Sequence, residues 1–123
     1  MKTFVDLCSV NTFHGQEERA EAIVRPRLEA CGVHFTKDAI GNLIGVWPGR
    51  GRDGRWIMLN AHTDTVRPTE GMTPRITSDG VASDGSSVLG ADDKAGVAAI
   101  VEAVCALHAS GASHGPVELV FTV

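Results

Sequence analysis

The feature that most constrains the fold is an amphipathic helix, predicted over residues 94–110, that lies between two apolar segments. Its apolar side chains recur at helical spacing, and Gly111 follows them as a stop signal (Val97, Ile100, Val101, Val104 and Leu107). Strands are predicted before it, over residues 56–60, and after it, over residues 117–123. A strand, a helix and a strand in this order form a βαβ unit with parallel strands and a right-handed crossover. The sequence therefore predicts an α/β fold with a mixed, largely parallel sheet flanked by helices.

The first half of the chain predicts further helices and short strands. An apolar group at residues 4–7 indicates a short helix, and the spacing over residues 16–31 indicates a longer one that Pro26 should kink or split. The remaining predicted elements are short (strands over 33–36 and 43–47, a polar turn over 50–55, and a hairpin around Asp79-Gly80).

Two apolar segments carry specific expectations about burial. Residues 56–59 contain no polar side chain, which is typical of a strand buried on both faces. Trp47 and Trp56 are expected to pack in the core or in a hairpin. Residues 117–123 have the composition of a central strand, but no segment follows to flank or cover them. The chain is therefore predicted to be a fragment whose last strand has an exposed edge and promotes self-association.

Composition excludes several classes of protein. The chain is 43% hydrophobic and 21% charged, as globular proteins are, and its net charge is −4. Because it has no run of Lys or Arg, neither nucleic acid nor an anionic membrane is expected as a partner. No segment resembles a membrane span or a signal peptide. The three cysteines form no CxxC motif and indicate buried thiols in a reducing compartment, so a cytoplasmic location is expected.

The first candidate site lies at the end of the strand over residues 56–60. His62 and Asp64 are two residues apart, so in extended chain their side chains face the same side. An imidazole beside a carboxylate suits a metal ligand whose tautomer is fixed by its neighbour. The carboxyl end of a parallel strand is also where α/β proteins bind ligands. Taken alone, such a pair is more often part of a surface loop with a hydrogen-bonded histidine than a metal site.

The second candidate site precedes the amphipathic helix. Asp92 and Asp93 stand between small residues at the end of a long polar loop. Either could simply cap the helix N-terminus, where a carboxylate accepts backbone hydrogen bonds. A carboxylate can also bridge two cations, which would account for acids placed at this point of the loop.

Four segments follow one another in a recognisable order (Asn60–Val66, Ser83-Asp84-Gly85, Leu89–Gly96 and His114–Val123). Together they resemble the M20 family of zinc peptidases, most closely its tripeptidase T-like branch. The resemblance extends over about half of the chain, and the first 55 residues are less distinctive.

The resemblance implies a role for each matched residue. His62 would be a zinc ligand, and Asp64 would be the catalytic-site carboxylate that orients it. Asp92 would bridge two metal ions, zinc or alternatively cobalt or manganese. Asp93 would follow it through a peptide bond that the family often holds cis. The remaining histidines (His14, His34, His108 and His114) are not expected to bind the catalytic metal.

The resemblance also implies what this chain does not contain. The family's pair of glutamates, a general base and a ligand, follows the strand that matches residues 117–123. Residues 1–123 would then be the N-terminal part of the catalytic domain, without the lid and dimerisation domain. The complete enzyme would cleave short peptides as an aminopeptidase and form a homo-oligomer, whereas this chain alone would be inactive.

Two other functions remain open at this point. Relatives in the same family hydrolyse N-acyl or carbamoyl amino acids, and the substrate-binding half that would decide is not in the sequence. A different class of protein, a non-catalytic metal-binding or interaction module, would also account for the same residues.

Overall fold

The computed structural model describes residues 1–51 and 54–123, so residues 52 and 53 of the predicted polar turn lie outside the described part. Within these residues, three helices and six strands follow one another (α1 Lys2–Cys8, α2 Glu18–Glu29, β1 His34–Lys37, β2 Leu43–Trp47, β3 Ile57–His62, β4 Arg75–Thr77, β5 Gly80–Ala82, α3 Ala91–Ser110 and β6 Val117–Thr122). The predicted helices and strands are all present. The helix α2 is not split, because it continues through Pro26 to Glu29.

The main sheet has the strand order β1-β2-β6-β3. The predicted parallel pair is confirmed, since β3 and β6 lie in register from Ile57 opposite Val117 to His62 opposite Thr122. The α/β class with a mixed sheet is confirmed as well. The balance of strand directions differs from the largely parallel sheet that was expected, because β2 is antiparallel to both β1 and β6. The short connection over residues 38–42 allows β1 and β2 only an antiparallel pairing.

A hydrophobic core lies between the helices and one face of this sheet. Burial alternates along β6, with Val117, Leu119 and Phe121 buried and the intervening side chains half-buried. The buried residues of β6 pack in one cluster with apolar side chains of all three helices (among them Leu7, Val24, Leu28, Val97 and Val101). Burial of this apolar surface is the main term that stabilises the fold.

The expected burial of residues 56–59 is wrong. Strand β3 is the last strand in the sheet order, so it has a neighbour on one side only within the described residues. Met58 lies on the face of β3 opposite the buried Ala61 and keeps 61% of its surface exposed, and Ile57 and Trp56 are exposed too. Trp47 is buried as predicted, and its indole Nε1 donates a hydrogen bond to the Cys31 carbonyl at 3.0 Å.

The expected exposed edge at residues 117–123 is also wrong. Strand β6 pairs with β2 on one side and with β3 on the other, so its backbone is satisfied along both edges. The crossover through α3 places the last strand inside the sheet, between two strands that precede it in sequence. The two outer strands of the described sheet are therefore β1 and β3.

The predicted hairpin is confirmed, since β4 and β5 pair antiparallel with Ile76 opposite Val81. Among the described residues, no helix combines the length and the apolar character needed to cross a membrane.

The strand order predicts a specific pattern of amide hydrogen exchange. The Ile57 and Thr63 amides donate to the β6 side, and successive amides of a strand point to opposite edges, so the Met58 and Asn60 amides point away from β6. We expect these two amides to exchange at least on the order of 1000-fold faster than those of Leu119 and Val120. Exchange monitored by NMR would measure the difference.

A dilution series is the control for this measurement. Protection of Met58 and Asn60 that appears only at high protein concentration would show self-association through the β3 edge. Fast exchange throughout β6 would contradict its central position in the sheet.

Candidate metal centre

The strand β3 ends at His62, directly beside the end of β6. The Thr63 backbone amide and its hydroxyl Oγ1 both donate hydrogen bonds to the Thr122 carbonyl, each at 2.9 Å. Thr63 itself is buried. These two bonds hold the chain at the point where it leaves the sheet, so the position of the His62 side chain is determined by the parallel pairing of β3 with β6.

The imidazole of His62 contacts Asp64 through Nδ1, as the two-residue spacing predicted. Nδ1 lies 3.0 Å from the Asp64 carboxylate Oδ1 and 3.2 Å from the Asp64 carbonyl oxygen. Both partners can only accept, so Nδ1 carries the hydrogen and donates it. In the neutral imidazole, Nε2 then has a free lone pair that points away from Asp64.

Asp92 lies on the other side of the ring. Its carboxylate Oδ1 is 3.1 Å from His62 Nε2, although the two residues are 30 positions apart in the sequence. The Asp92 side chain is 94% exposed and that of His62 is 36% exposed, so solvent or an ion can reach the space around this contact. The structure therefore brings the His62 and Asp92 side chains together at the carboxyl end of β3.

The two neighbouring aspartates have different roles. Asp93 caps α3, because its carboxylate Oδ1 accepts a hydrogen bond from the Gly96 amide at 3.1 Å. A side chain at position 96 would meet that oxygen at 2.4 Å, so the cap requires glycine there. Asp92 has non-helical backbone angles, and its peptide bond to Asp93 is cis. The capping interpretation thus applies to Asp93, and the carboxylate of Asp92 is left to face His62.

The segment between α1 and α2 forms hydrogen bonds both with the loop that follows His62 and with the helix that carries Asp92. The buried ammonium group of Lys94 donates a hydrogen bond to the Val10 carbonyl at 2.7 Å. The Thr12 carbonyl accepts the Thr65 amide at 3.3 Å. The Asn11 side-chain oxygen accepts the Thr69 amide at 2.9 Å. Residues 10–12 therefore join the loop after His62 to the helix that carries Asp92.

Analysis of the sequence missed Lys94 and Asn11, although a signal for Lys94 was present. Lys94 precedes Val97, Ala98 and Val101 by three, four and seven positions, which places it on the apolar face of α3. Its side chain is 0% exposed, and burial lowers its pKa. A lysine on an apolar helical face indicates a buried amino group with a specific acceptor. For Asn11, no pattern along the chain pointed to its contact with Thr69.

The loop that matches Ser83-Asp84-Gly85 has a structural role. The Asp84 carboxylate accepts hydrogen bonds from the Ser86 hydroxyl at 2.6 Å and from the Thr73 amide at 2.8 Å. These bonds, first of all those from Ser86, lower the pKa of Asp84 to about 2. The ionised carboxylate closes the base of the β4–β5 hairpin.

The charges around His62 favour a cation between its ring and Asp92. Burial lowers the pKa of His62, but the hydrogen bond to Asp92 and the negative charge of Asp64 outweigh that effect and raise it. A lone pair on Nε2 and a carboxylate oxygen at 3.1 Å repel each other unless a proton or a metal ion lies between them. Zinc accepts both kinds of ligand, so this donor pair fits such an ion.

The described residues supply only part of a metal site. Within residues 1–51 and 54–123, no group of three or more His, Cys, Asp and Glu side chains is arranged to hold an ion.

Of the other histidines, His114 stacks on Trp47 with the ring centroids 3.8 Å apart.

Comparisons with known proteins point to one group of hydrolases. The model of the peptidase family M20/M25/M40 matches residues 58–123. The crystal structure of aminopeptidase PepT from Bacillus cereus is similar with a TM-score of 0.91 and 33% identity, over 99% of this chain and 35% of that one. A tripeptidase from Staphylococcus aureus has a TM-score of 0.89 and 29% identity, over 99% of this chain and 35% of its own. The uncharacterised protein YqjE of Bacillus subtilis is 30% identical over 100% of this chain and 35% of its own length. The chain spans about a third of the length of these proteins.

The role of Lys94 can be tested by its replacement with alanine. Lys94→Ala removes the hydrogen bond to Val10 and leaves a cavity, so we expect the free energy of unfolding to fall by about 2 kcal/mol. Urea denaturation would measure the change. Lys2→Ala is the control: that lysine is exposed and pairs only with Asp6 at 2.8 Å, so it should change stability by less than about 0.5 kcal/mol. Equal effects of the two substitutions would contradict a structural role for Lys94.

The electrostatics of the site can be tested by NMR titration of the metal-free chain. His62 should titrate above its usual value of 6.5, because Asp92 and Asp64 stabilise the imidazolium. The stabilisation that the His62 imidazolium gives the folded chain should be complete below pH 6.5. It should be lost as the pH rises through the raised pKa of His62. Asp92→Asn should lower the pKa of His62, whereas Asp93→Asn should leave it unchanged, since Asp93 caps the helix. An unchanged pKa in the Asp92 variant would show that the two side chains do not interact in solution.

Proposed function

The chain belongs to the peptidase family M20/M25/M40, and on that basis we propose that it forms the first part of the catalytic domain of a two-zinc aminopeptidase that cleaves short peptides. Residues 1–123 would contribute the sheet edge that holds the first metal ligands. The remaining ligands, the general base and the lid and dimerisation domain would come from other parts of the whole protein.

One observation carries this proposal: the 3.1 Å contact between His62 Nε2 and Asp92 Oδ1, with Nδ1 of the same ring held by Asp64. His62 and Asp92 are the proposed ligands. Asp64 is a positioning residue, since its carboxylate fixes the tautomer that leaves Nε2 free to bind. When bound, zinc would supply a Lewis acid and lower the pKa of a coordinated water; cobalt or manganese could take its place.

The proposed substrate is a short peptide. It is supported by the similarity to a tripeptidase and to aminopeptidase PepT, which share the fold over nearly the whole of this chain. The three free cysteines fit a reducing compartment, and we propose the cytoplasm. Homo-oligomerisation of the whole protein stays a prediction.

The proposal predicts a graded loss of activity in the full-length protein. We expect zinc-dependent hydrolysis of a tripeptide, reduced more than roughly 100-fold by His62→Ala or Asp92→Ala, because each removes a metal ligand. Asp64→Ala should cost about 10- to 100-fold, since it removes only the partner that orients His62. The 123-residue chain by itself should hydrolyse no tripeptide, because no residue in it matches the family's general base. Steady-state kinetics and metal content would be measured together.

His14→Ala is the matched control and should retain both activity and zinc. Preferential hydrolysis of N-acetyl or N-carbamoyl amino acids would replace the aminopeptidase activity but keep the metal site. Full activity and full zinc content in the His62 and Asp92 variants would contradict the site itself.

A further inference from the structure

Two cysteines that are distant in sequence meet between the end of α2 and the helix α3. Cys31 follows the C-terminus of α2, and Cys105 lies within α3. Their sulfur atoms are 3.4 Å apart, and the residues are separated by 74 positions. A disulfide bond is about 2.05 Å long, so the two sulfur atoms would have to approach by about 1.4 Å.

The surroundings keep the two thiols in place. Cys31 Sγ donates a hydrogen bond to the Arg27 carbonyl at 3.3 Å, and Cys105 Sγ lies 4.0 Å from the same oxygen. The backbone at Cys31 is held as well, because its carbonyl accepts the indole N–H of Trp47 at 3.0 Å. Cys31 is buried, whereas Cys105 is half-buried, so a small reagent in solution would reach Cys105 first.

We propose that Cys31 and Cys105 are a redox modification site, which a hydroperoxide converts to a reversible disulfide between α2 and α3. The hydroperoxide transfers one oxygen atom to the Cys105 sulfur, which becomes a sulfenic acid, and is itself reduced to water or an alcohol. The Cys31 sulfur then attacks the Cys105 sulfur. Its proton leaves with the displaced hydroxide as water, and the S–S bond forms.

The environment of Cys105 determines how readily this reaction begins. Burial, followed by the hydrogen bond between the Cys105 thiol and the Cys31 sulfur, raises the pKa of the Cys105 thiol to about 11. Because the thiolate is the reactive form, oxidation should be slow at neutral pH and accelerate as the pH rises. The pair would stay reduced under ordinary reducing conditions and react only under strong or prolonged oxidation.

The disulfide would connect the end of α2 to α3 and close a long loop of the chain. The closed loop contains β1 to β5 and both segments of the metal centre. A cross-link over a loop of this length restricts the unfolded chain strongly, so we expect Tm to rise on the order of 10 °C. The expected effect is on stability, and it does not depend on the proposed peptidase activity.

The experiment treats the chain with hydrogen peroxide at two pH values and maps the cross-linked peptides by mass spectrometry. We expect a loss of two hydrogen atoms, assigned to a Cys31–Cys105 peptide, together with a higher Tm that a dithiol reductant reverses. Cys31→Ala and Cys105→Ala should each abolish both changes. Cys8→Ala is the control and should retain them, because Cys8 has no thiol partner within hydrogen-bond distance among the described residues.

Mapping of the unsubstituted protein decides the question even if a variant fails to fold. Peroxide treatment that leaves the two thiols free, or oxidises Cys105 to the sulfinic acid without a cross-link, would overturn the proposal. A disulfide that involves Cys8, or one formed only between two molecules, would overturn it as well.

Discussion

The hydrogen bond from the buried Lys94 side chain to the Val10 carbonyl is the contact on which the arrangement of the candidate metal centre depends. Lys94 begins the regular part of α3, one position after the capping residue Asp93. Removing its ammonium group from water is costly, so the side chain is retained there only because a strong acceptor lies within reach. The same short segment, residues 10–12, also binds the loop that follows His62. Residues 10–12 thereby set the distance between the loop that follows His62 and the start of α3.

The arrangement around His62 separates orientation from binding. Asp64 occupies one ring nitrogen and directs the other towards Asp92, so the two carboxylates act on opposite sides of one imidazole. This leaves an exposed pair of electron donors, His62 Nε2 and Asp92 Oδ1. A proton satisfies the pair in the metal-free chain, which is why the pKa of His62 is raised, and a metal ion would compete for the same position.

Asp92 and Asp93 make different contacts although they are adjacent and identical in type. A helix N-terminus needs one acceptor for its free amides, and Asp93 provides it through Gly96. Once that need is met, the preceding carboxylate is available for a ligand. Because the two residues are identical in type and adjacent, their pattern alone left the capping and metal-binding interpretations open for both, whereas the family resemblance implied metal binding for Asp92. In the structure Asp93 forms the cap, and Asp92 Oδ1 lies 3.1 Å from His62 Nε2.

The sequence by itself determined the features that depend on local periodicity. Helical spacing predicted α3, a run of apolar residues predicted β3 and β6, and the two-residue spacing placed His62 beside Asp64. The tertiary structure decided the features that depend on pairing between distant segments: the central position of β6, the exposed edge at β3, the contact between His62 and Asp92, the acceptor for Lys94, and the meeting of Cys31 with Cys105. The physical reason is that strand order and helix crossing are set by how the whole chain buries its apolar surface, and no short stretch of residues contains that information.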